Sequence, residues 1–202
     1  MSGAAPAGRD AMRPLPRSPG LPDDAFNHDG QITKREIRAI TLSSLAPRPG
    51  DLLWDVGAGS GSVAIEWLLA DASNRAVAVE AQAERAGRAR LNARVLGATG
   101  LIIVVGKAPE ALEGLEPPDA VFVGGGFSSA VFDRSFRALK PGGRFVANAV
   151  TLETQAQMMA LHATHGGRLL QIAIAHAEPV ARFRWFRPAM PTVQWSLEKP
   201  WD

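Results

Sequence analysis

The sequence predicts an α/β protein built on a doubly wound, mostly parallel sheet. Three observations carry that expectation. Short apolar runs alternate with helical stretches along most of the chain, the pattern of strands covered by helices on both faces. A glycine-rich loop, GAGSG at 57–61, joins the first of these runs to a helix, at the position where open α/β sheets hold ligands. The last two strand-like segments have no helix between them, so they are expected to form an antiparallel C-terminal strand pair.

The elements follow in order. Residues 23–31 (DDAFNHDGQ) are polar and turn-like. Thr33 then opens a helix. Thr33 and Glu36 have capping-box spacing, Ile37, Ile40, Leu42 and Leu45 supply an apolar face, and Pro47 and Pro49 end it. Residues 51–56 are a short apolar run bounded by turn residues, hence a buried strand, and a helix over 62–70 follows the glycine loop. The pattern repeats as strand 76–80, helix 82–96 with Gly97 as its C′ glycine, strand 101–105, short helix 108–115, strand 119–123 and helix 128–139. Pro141-Gly142-Gly143 makes a turn before strand 144–150. Helix 152–165 and strands 168–177 and 192–197 complete the series. One domain is expected over residues 21–202. Residues 1–20, rich in Ala, Gly, Pro and Arg, read as a disordered leader or inter-domain linker and lack the apolar segment of a secretory signal.

Composition narrows the function classes. The 202 residues carry 22 basic and 20 acidic side chains, a net charge of +2, and the basic residues are four Lys and eighteen Arg. A nucleic-acid reader is expected to carry a concentrated basic stripe, and this balance does not demand one. The Arg excess is either coding bias or a sign of a polyanionic ligand. The absence of Cys removes disulfide scaffolds, thiolate metal sites and cysteine nucleophiles together. No stretch approaches the roughly 20 apolar residues that span a bilayer, so no membrane partner is expected and a cytoplasmic location is the default.

The chemistry concentrates around the loop. A dinucleotide site wants G-x-G-x-x-G with pyrophosphate on the helix N-terminus. Here the spacing is G-x-G-x-G, and Asp55 precedes the first glycine by two. That carboxylate is a poor neighbour for pyrophosphate and a good one for an ammonium group, such as the amino-acid end of S-adenosylmethionine. Glu80, closing the second strand, is placed to accept both hydroxyls of a ribose, as acids do in NAD-binding folds too. The Ala108 backbone N–H, after the third strand, is placed to read an adenine edge. Gly124-Gly125-Gly126, after the fourth, either keeps space for something bulky or is a plain flexible turn.

The loop, Glu80 and the LKPGG turn at 139–143 resemble the class I S-adenosylmethionine-dependent methyltransferases, whose sheet is Rossmann-like. Further stretches are similar to the decarboxylating precorrin methyltransferases of cobalamin biosynthesis: GLPDDAF at 20–26, HDGQITKREIR at 28–38, LWDVGAGSGSV at 53–63, GKAPEAL at 106–112 and NAVTLE at 148–153. The resemblance runs from about residue 20 to the C-terminus. It implies methylation of a precorrin at carbon 15, coupled to loss of carbon dioxide from the ring C acetate. It implies S-adenosylmethionine as cofactor, a homotetramer, and fusion to or pairing with a carbon-5 precorrin methyltransferase, for which the leader suits a linker. Residue by residue, it implies cofactor contacts at Thr33, at Gly57, Ala58, Gly59, Ser60 and Gly61, at the Glu80 carboxylate and at the Ala108 backbone. Related members usually have Asp where this chain has Lys107, so only the Ala108 contact carries over there.

Methyl transfer from an activated sulfonium asks for alignment and exclusion of water rather than a nucleophilic triad. Decarboxylation needs an electron sink, which a conjugated tetrapyrrole provides, so no metal is implied. His28, Asp29, Lys34 and Glu153 are the candidates for acid–base assistance, each competing with a plain role as cap, turn or solvated charge. Arg182, Arg184 and Arg187, interleaved with Phe183, Trp185 and Phe186, read as a substrate rim, a subunit interface or an RNA contact. Lys34, Arg184 and Arg187 are the substrate-binding candidates. Arg85, Arg88, Arg90 and Arg94 read as a solvated helix face, His162 and His165 as a surface pair, and His176 as a structural strand residue. Two other readings stand beside this one: an RNA adenosine methyltransferase, and a non-catalytic cofactor-binding module.

Overall fold

The five residues of β1 (Leu52–Val56) are all buried, and their side chains alternate between two cores. Leu52, Trp54 and Val56 pack into one cluster, with Phe132, Phe145 and Trp195, while Leu53 packs into the other, with Trp67 and Phe122. This is a strand covered by helices on both sides, as its uninterrupted apolar run implies. The computed structural model describes Pro16 and residues 18–201. The proposed leader, residues 1–20, falls mostly outside the described residues.

The described elements are α1 (Arg35–Leu45), β1, α2 (Ser62–Ala70), β2 (Arg75–Glu80), α3 (Ala83–Val95), β3 (Leu101–Val105), β4 (Ala120–Val123), α4 (Ser129–Ala138), β5 (Arg144–Ala149), α5 (Leu152–His165), β6 (Arg168–Ile172), β7 (Ala175–Val180), β8 (Phe183–Pro188) and β9 (Thr192–Glu198). Seven strands form one sheet in the order β3-β2-β1-β4-β5-β9-β6. The β1–β5 ladders are parallel, and β9 runs antiparallel to both β5 and β6. Strand order reverses between β1 and β4, which opens a crevice at their C-terminal ends. The expected doubly wound sheet with an antiparallel end is therefore present. Among the described residues, no helix is long and apolar enough to cross a membrane.

Three expectations about elements need correction. Helix α1 starts at Arg35, with Lys34 at the N-cap and no side-chain cap bond, so the Thr33–Glu36 capping box does not form. The Thr33 carbonyl instead accepts the Arg38 guanidinium at 2.5 Å. The buried residues of α1 are Arg38, Thr41, Leu42 and Leu45, while Ile37 and Ile40 are only half-buried. The helix expected at 108–115 is a single 3-10 turn, Glu110–Leu112, closed in by Pro109 and Gly114.

The strand expected at 168–177 divides in two. The β6–β9 ladder stops at the Ile172–Thr192 pair, because the next residue before β9 is Pro191, which has no N–H to continue it. Beyond that point β7 leaves the sheet and pairs with β8, an additional strand, as a separate exposed ribbon.

Candidate functional site

The first turn of the crevice is built by glycines for a steric reason. Gly57 has φ +69°, and a Cβ there would meet the Gly125 carbonyl oxygen at 2.5 Å. The β1 and β4 loops thus touch, backbone against backbone. Gly61 is the N-cap of α2, and a Cβ on it would press Ala89 of α3 at 3.0 Å. The loop is anchored from β2, since the Val79 carbonyl accepts the N–H groups of Gly57 and Ala58.

Two carboxyl groups frame this loop. Glu80 is 6% exposed; its Oε2 accepts the Gly59 N–H at 2.8 Å and its Oε1 accepts the Gln82 N–H at 2.9 Å. Each oxygen keeps a further lone pair, so the carboxylate is held rigid with acceptor capacity to spare. Asp55 lies beneath the loop, not on the cleft wall. Its Oδ2 accepts the Ala64 N–H at the start of α2 at 3.1 Å, and its Oδ1 has no partner. Burial pushes the Asp55 carboxyl up to about 7, against the pull of the Ala64 N–H and with help from the Glu80 charge. As placed, Asp55 ties the loop to α2.

A strap of residues 20–34 crosses in front of the loop. Its anchor is Arg38, which is fully buried. Arg38 Nε donates to Glu66 Oε1 at 2.5 Å, Nη1 to Asp23 Oδ1 at 3.2 Å and Nη2 to the Leu21 carbonyl, and the guanidinium stacks over Phe26. Glu66 in turn accepts the N–H groups of Gly20 at 2.6 Å and Leu21 at 2.9 Å. The middle of the strap docks on α3. Asn92 accepts the Asn27 N–H and donates to the Asn27 and Ser60 carbonyls. Asp29 is ion-paired with Arg85 at 2.9 Å and Arg88 at 2.8 Å. The hydrogen bonds from Arg85 and then from the Gln31 N–H, with the Arg88 guanidinium nearby, lower the Asp29 carboxyl to about 2.

Strap, loop and strand ends enclose a cleft of about 1090 Å³. Of the residues expected from sequence, Thr33, Lys34, Gly57, Ala58, Gly59 and Ser60 line it. Gly61 sits behind the loop at the start of α2, and Ala108 packs against the core past the end of β3. His28 is on the strap, its Nδ1 accepting the Gly30 N–H at 3.0 Å, and Asp29 is occupied by its two arginines, so neither lines the cleft. Glu153 is exposed in the first turn of α5, away from the cleft lining. Arg184 and Arg187 are exposed on the ribbon, where Arg187 pairs with Glu178 at 3.3 Å. The ribbon register puts Arg187 opposite His176 and Arg184 opposite Pro179, which sends the two arginines to opposite faces.

Other residues gain a place that the sequence reading did not give them. Arg85 lines the cleft and Arg88 is ion-paired, so this part of α3 is not a solvated face. His176 is exposed and lines the cleft rather than serving a strand core. Asn148, at the end of β5, lines it too and is tied to Thr41 and Gln194. The signal for Arg38 was present: 38, 41, 42 and 45 have i, i+3, i+4, i+7 spacing, with a charge at a core position.

Residues 24–199 match the family described as the precorrin methyltransferase domain. A precorrin-6Y C(5,15)-methyltransferase (decarboxylating) of Sinorhizobium sp is 52% identical over 194 residues, 96% of this chain and 47% of that protein. A probable cobalt-precorrin-6B C(15)-methyltransferase (decarboxylating) of Saccharolobus solfataricus is 36% identical over 143 residues, 67% of this chain and 72% of that protein. The crystal structure of the C-terminal domain of precorrin-6Y C5,15-methyltransferase from Rhodobacter capsulatus superposes with a TM-score of 0.86 at 49% identity, covering 92% of this chain and all of that one. The chain spans about half the length of the precorrin-6Y relatives it matches. With the family matched over nearly the whole described fold, the chain belongs to the precorrin methyltransferase domain family.

Proposed function

We propose that the chain binds S-adenosylmethionine against the 57–61 loop and methylates a precorrin at carbon 15, with loss of carbon dioxide from the ring C acetate. The observation that carries this reading is the crevice between the β1 and β4 loops, too close for a side chain at Gly57, with the rigid Glu80 carboxylate beside Gly59. Glu80 suits a ribose diol. The unspent Ser60 Oγ, on the cleft lining, is a buried polar atom that a bound ligand or water would satisfy. The residues present therefore fit this cofactor. Gly57, Ala58, Gly59 and Ser60 would hold it with Glu80, Thr33 from the strap, and the Ala108 backbone on the far side of β2.

The cofactor supplies an activated methyl group. The chain aligns and shields. The strap, pinned by Arg38 and Asp29, covers the loop and excludes water, and the cleft is wide enough to bring a planar macrocycle up to the strand ends. Lys34 and Arg187 offer cations to the substrate's carboxylates, and Arg184 faces the other side of the ribbon.

The ribbon exposes Phe183, Trp185 and Phe186, which supports its use as a contact between copies in a homotetramer. The half-length match to the precorrin-6Y relatives supports fusion to or pairing with a carbon-5 methyltransferase, which in-frame flanking coding sequence would reveal.

Calorimetric titration with S-adenosylmethionine, followed by single-turnover assay of methyl transfer and carbon dioxide release from a precorrin, tests the reading. Saturable cofactor binding with both products is expected. Binding without either product favours the non-catalytic module, and absence of binding rejects the proposal.

A further inference from the structure

The two walls of the cleft differ in chemistry. The strap and the first turn of α1 bring charge, with Lys34 and Arg35 beside Asp23, Asp24 and Glu36, and α3 adds Arg85. The opposite wall is formed by the ends of β4, β5 and β6 and the start of β9. It presents Gly124, Gly125, Asn148, Val150, Ile172 and Thr192, with His176 beyond them on β7. Apart from that imidazole, this second wall carries no ionisable side chain among the described lining residues.

Asn148 is held there by a network whose hydrogen-bond valences can be followed one by one. The Thr41 hydroxyl donates to the Ile37 carbonyl at 2.8 Å, so its oxygen is left as an acceptor. It accepts Asn148 Nδ2 at 2.9 Å and Gln194 Nε2 at 3.2 Å. The second Gln194 N–H goes to Asn148 Oδ1 at 3.0 Å, and Gln194 Oε1 accepts the Ser44 hydroxyl at 2.7 Å. Gln194 is 1% exposed and sits opposite Asn148 in the β5–β9 register. Both carboxamides are therefore fixed in orientation. Gln194 has spent both N–H groups and the Thr41 hydroxyl its proton, so the donor this network has left is the second N–H of Asn148, at the cleft.

We propose that Asn148 is the specificity-determining residue that receives the acetate carboxylate destined for loss, with Thr41 and Gln194 as positioning residues. This rests on the reading of the chain as a decarboxylating precorrin methyltransferase. The choice of a neutral donor follows from the reaction. In decarboxylation the bond between the acetate methylene and the carboxylate carbon breaks and its electron pair moves into the conjugated macrocycle. Carbon dioxide leaves, and the methylene carbon takes a proton from water. A cation beside the carboxylate would stabilise the charged ground state and lose that contact as the charge departs. A fixed carboxamide orients the group with less ground-state stabilisation, in the less polar of the two walls. The substrate's other carboxylates are left to the charged wall and to Arg187 on the ribbon.

The test compares the full chain with Asn148→Ala, Thr41→Val and Thr41→Ser, in single turnover with a precorrin, counting methyl transferred and carbon dioxide released. Cofactor affinity and thermal midpoint monitor folding. Asn148→Ala is expected to weaken precorrin binding about tenfold or more while cofactor affinity stays unchanged. It is also expected to lower carbon dioxide released per methyl transferred from the equimolar ratio of the parent. Thr41→Val lowers the same ratio, and Thr41→Ser, which keeps the hydroxyl, restores it. Should Asn148→Ala fail to fold, the near-isosteric Asn148→Asp serves, and its added charge is expected to weaken precorrin binding further. Equimolar products with unchanged precorrin affinity in a folded variant overturn the inference alone. A parent chain that yields neither product rejects the functional reading and the inference with it.

Discussion

Replacing Arg38 by Met is expected to destabilise the protein more than any surface change, and the structure sets the size. Arg38 is fully buried and its partner Glu66 has a side chain 3% exposed, so the mutation leaves a buried carboxylate facing only the Gly20 and Leu21 N–H groups. Breaking a buried pair by removing one partner costs about 3–5 kcal/mol. The Asp23, Thr33 and Leu21 acceptors lose their donor as well, although Asp23 can turn to solvent. For a domain of this size, a shift of about 2–4 °C per kcal/mol puts the thermal midpoint about 6–20 °C lower. Urea unfolding followed by circular dichroism measures the loss directly, with a lower midpoint and an unchanged slope. The double variant Arg38→Met with Glu66→Leu removes the stranded charge, so its loss is expected to be smaller than the sum of the singles by about 2 kcal/mol or more. The strap should also exchange its amide hydrogens faster in Arg38→Met, since Arg38 holds residues 21–33 to the domain. A loss under about 1 kcal/mol, or additivity of the two singles, would refute the account of Arg38 as the strap's anchor.

Four further outcomes are expected. Glu80→Gln removes the ionised acceptor beside Gly59 and should weaken S-adenosylmethionine binding about tenfold to a hundredfold by calorimetry; unchanged affinity would remove Glu80 from the cofactor site. Asp55 has a folded pKa raised to about 7 from 3.8, so the folded state keeps a proton that the unfolded state gives up, and stability falls as pH rises from about 4 to 7. That contribution is on the order of 4 kcal/mol, and Asp55→Asn should flatten the fall in urea titrations across that window. Asp29 has the opposite sign: its pKa is lowered to about 2, so its pairing with Arg85 and Arg88 stabilises above about pH 4 and is lost as pH drops toward 2, a loss that Asp29→Asn should abolish. Arg187→Ala should weaken precorrin binding without changing cofactor affinity, whereas Arg184→Ala, on the other face of the ribbon, should leave precorrin binding near the parent value; equal effects would reject the division of faces.

The sheet could be read from sequence because burial on both sides leaves one solution for runs such as 52–56 and 120–123, and the glycine loop because Gly57 and Gly61 answer steric demands that other residues cannot meet. Hydropathy misled at α1. It turned Ile37 and Ile40 inward, but a helix settles on the face whose partners are best satisfied, and Arg38 donates four hydrogen bonds, to Glu66, Asp23, Thr33 and Leu21, in a setting dry enough to make each count. The two aspartates differ in what holds them. Asp29 and Asp55 look alike as acids near a ligand loop, yet one is saturated by two arginines 56 and 59 residues downstream, and the other is sealed under α2. The first outcome depends on which distant residues arrive and the second on how α2 packs over β1, so neither is legible from the acid's own spacing to the loop. The ribbon β7–β8 was hidden for a third reason. Every residue of β8 is exposed, so its aromatic side chains have no core of their own chain to declare their period. Its register separates a face with His176, Trp185 and Arg187 from one with Ala177, Phe186 and Arg184, and it is His176, on the first face, that lines the cleft.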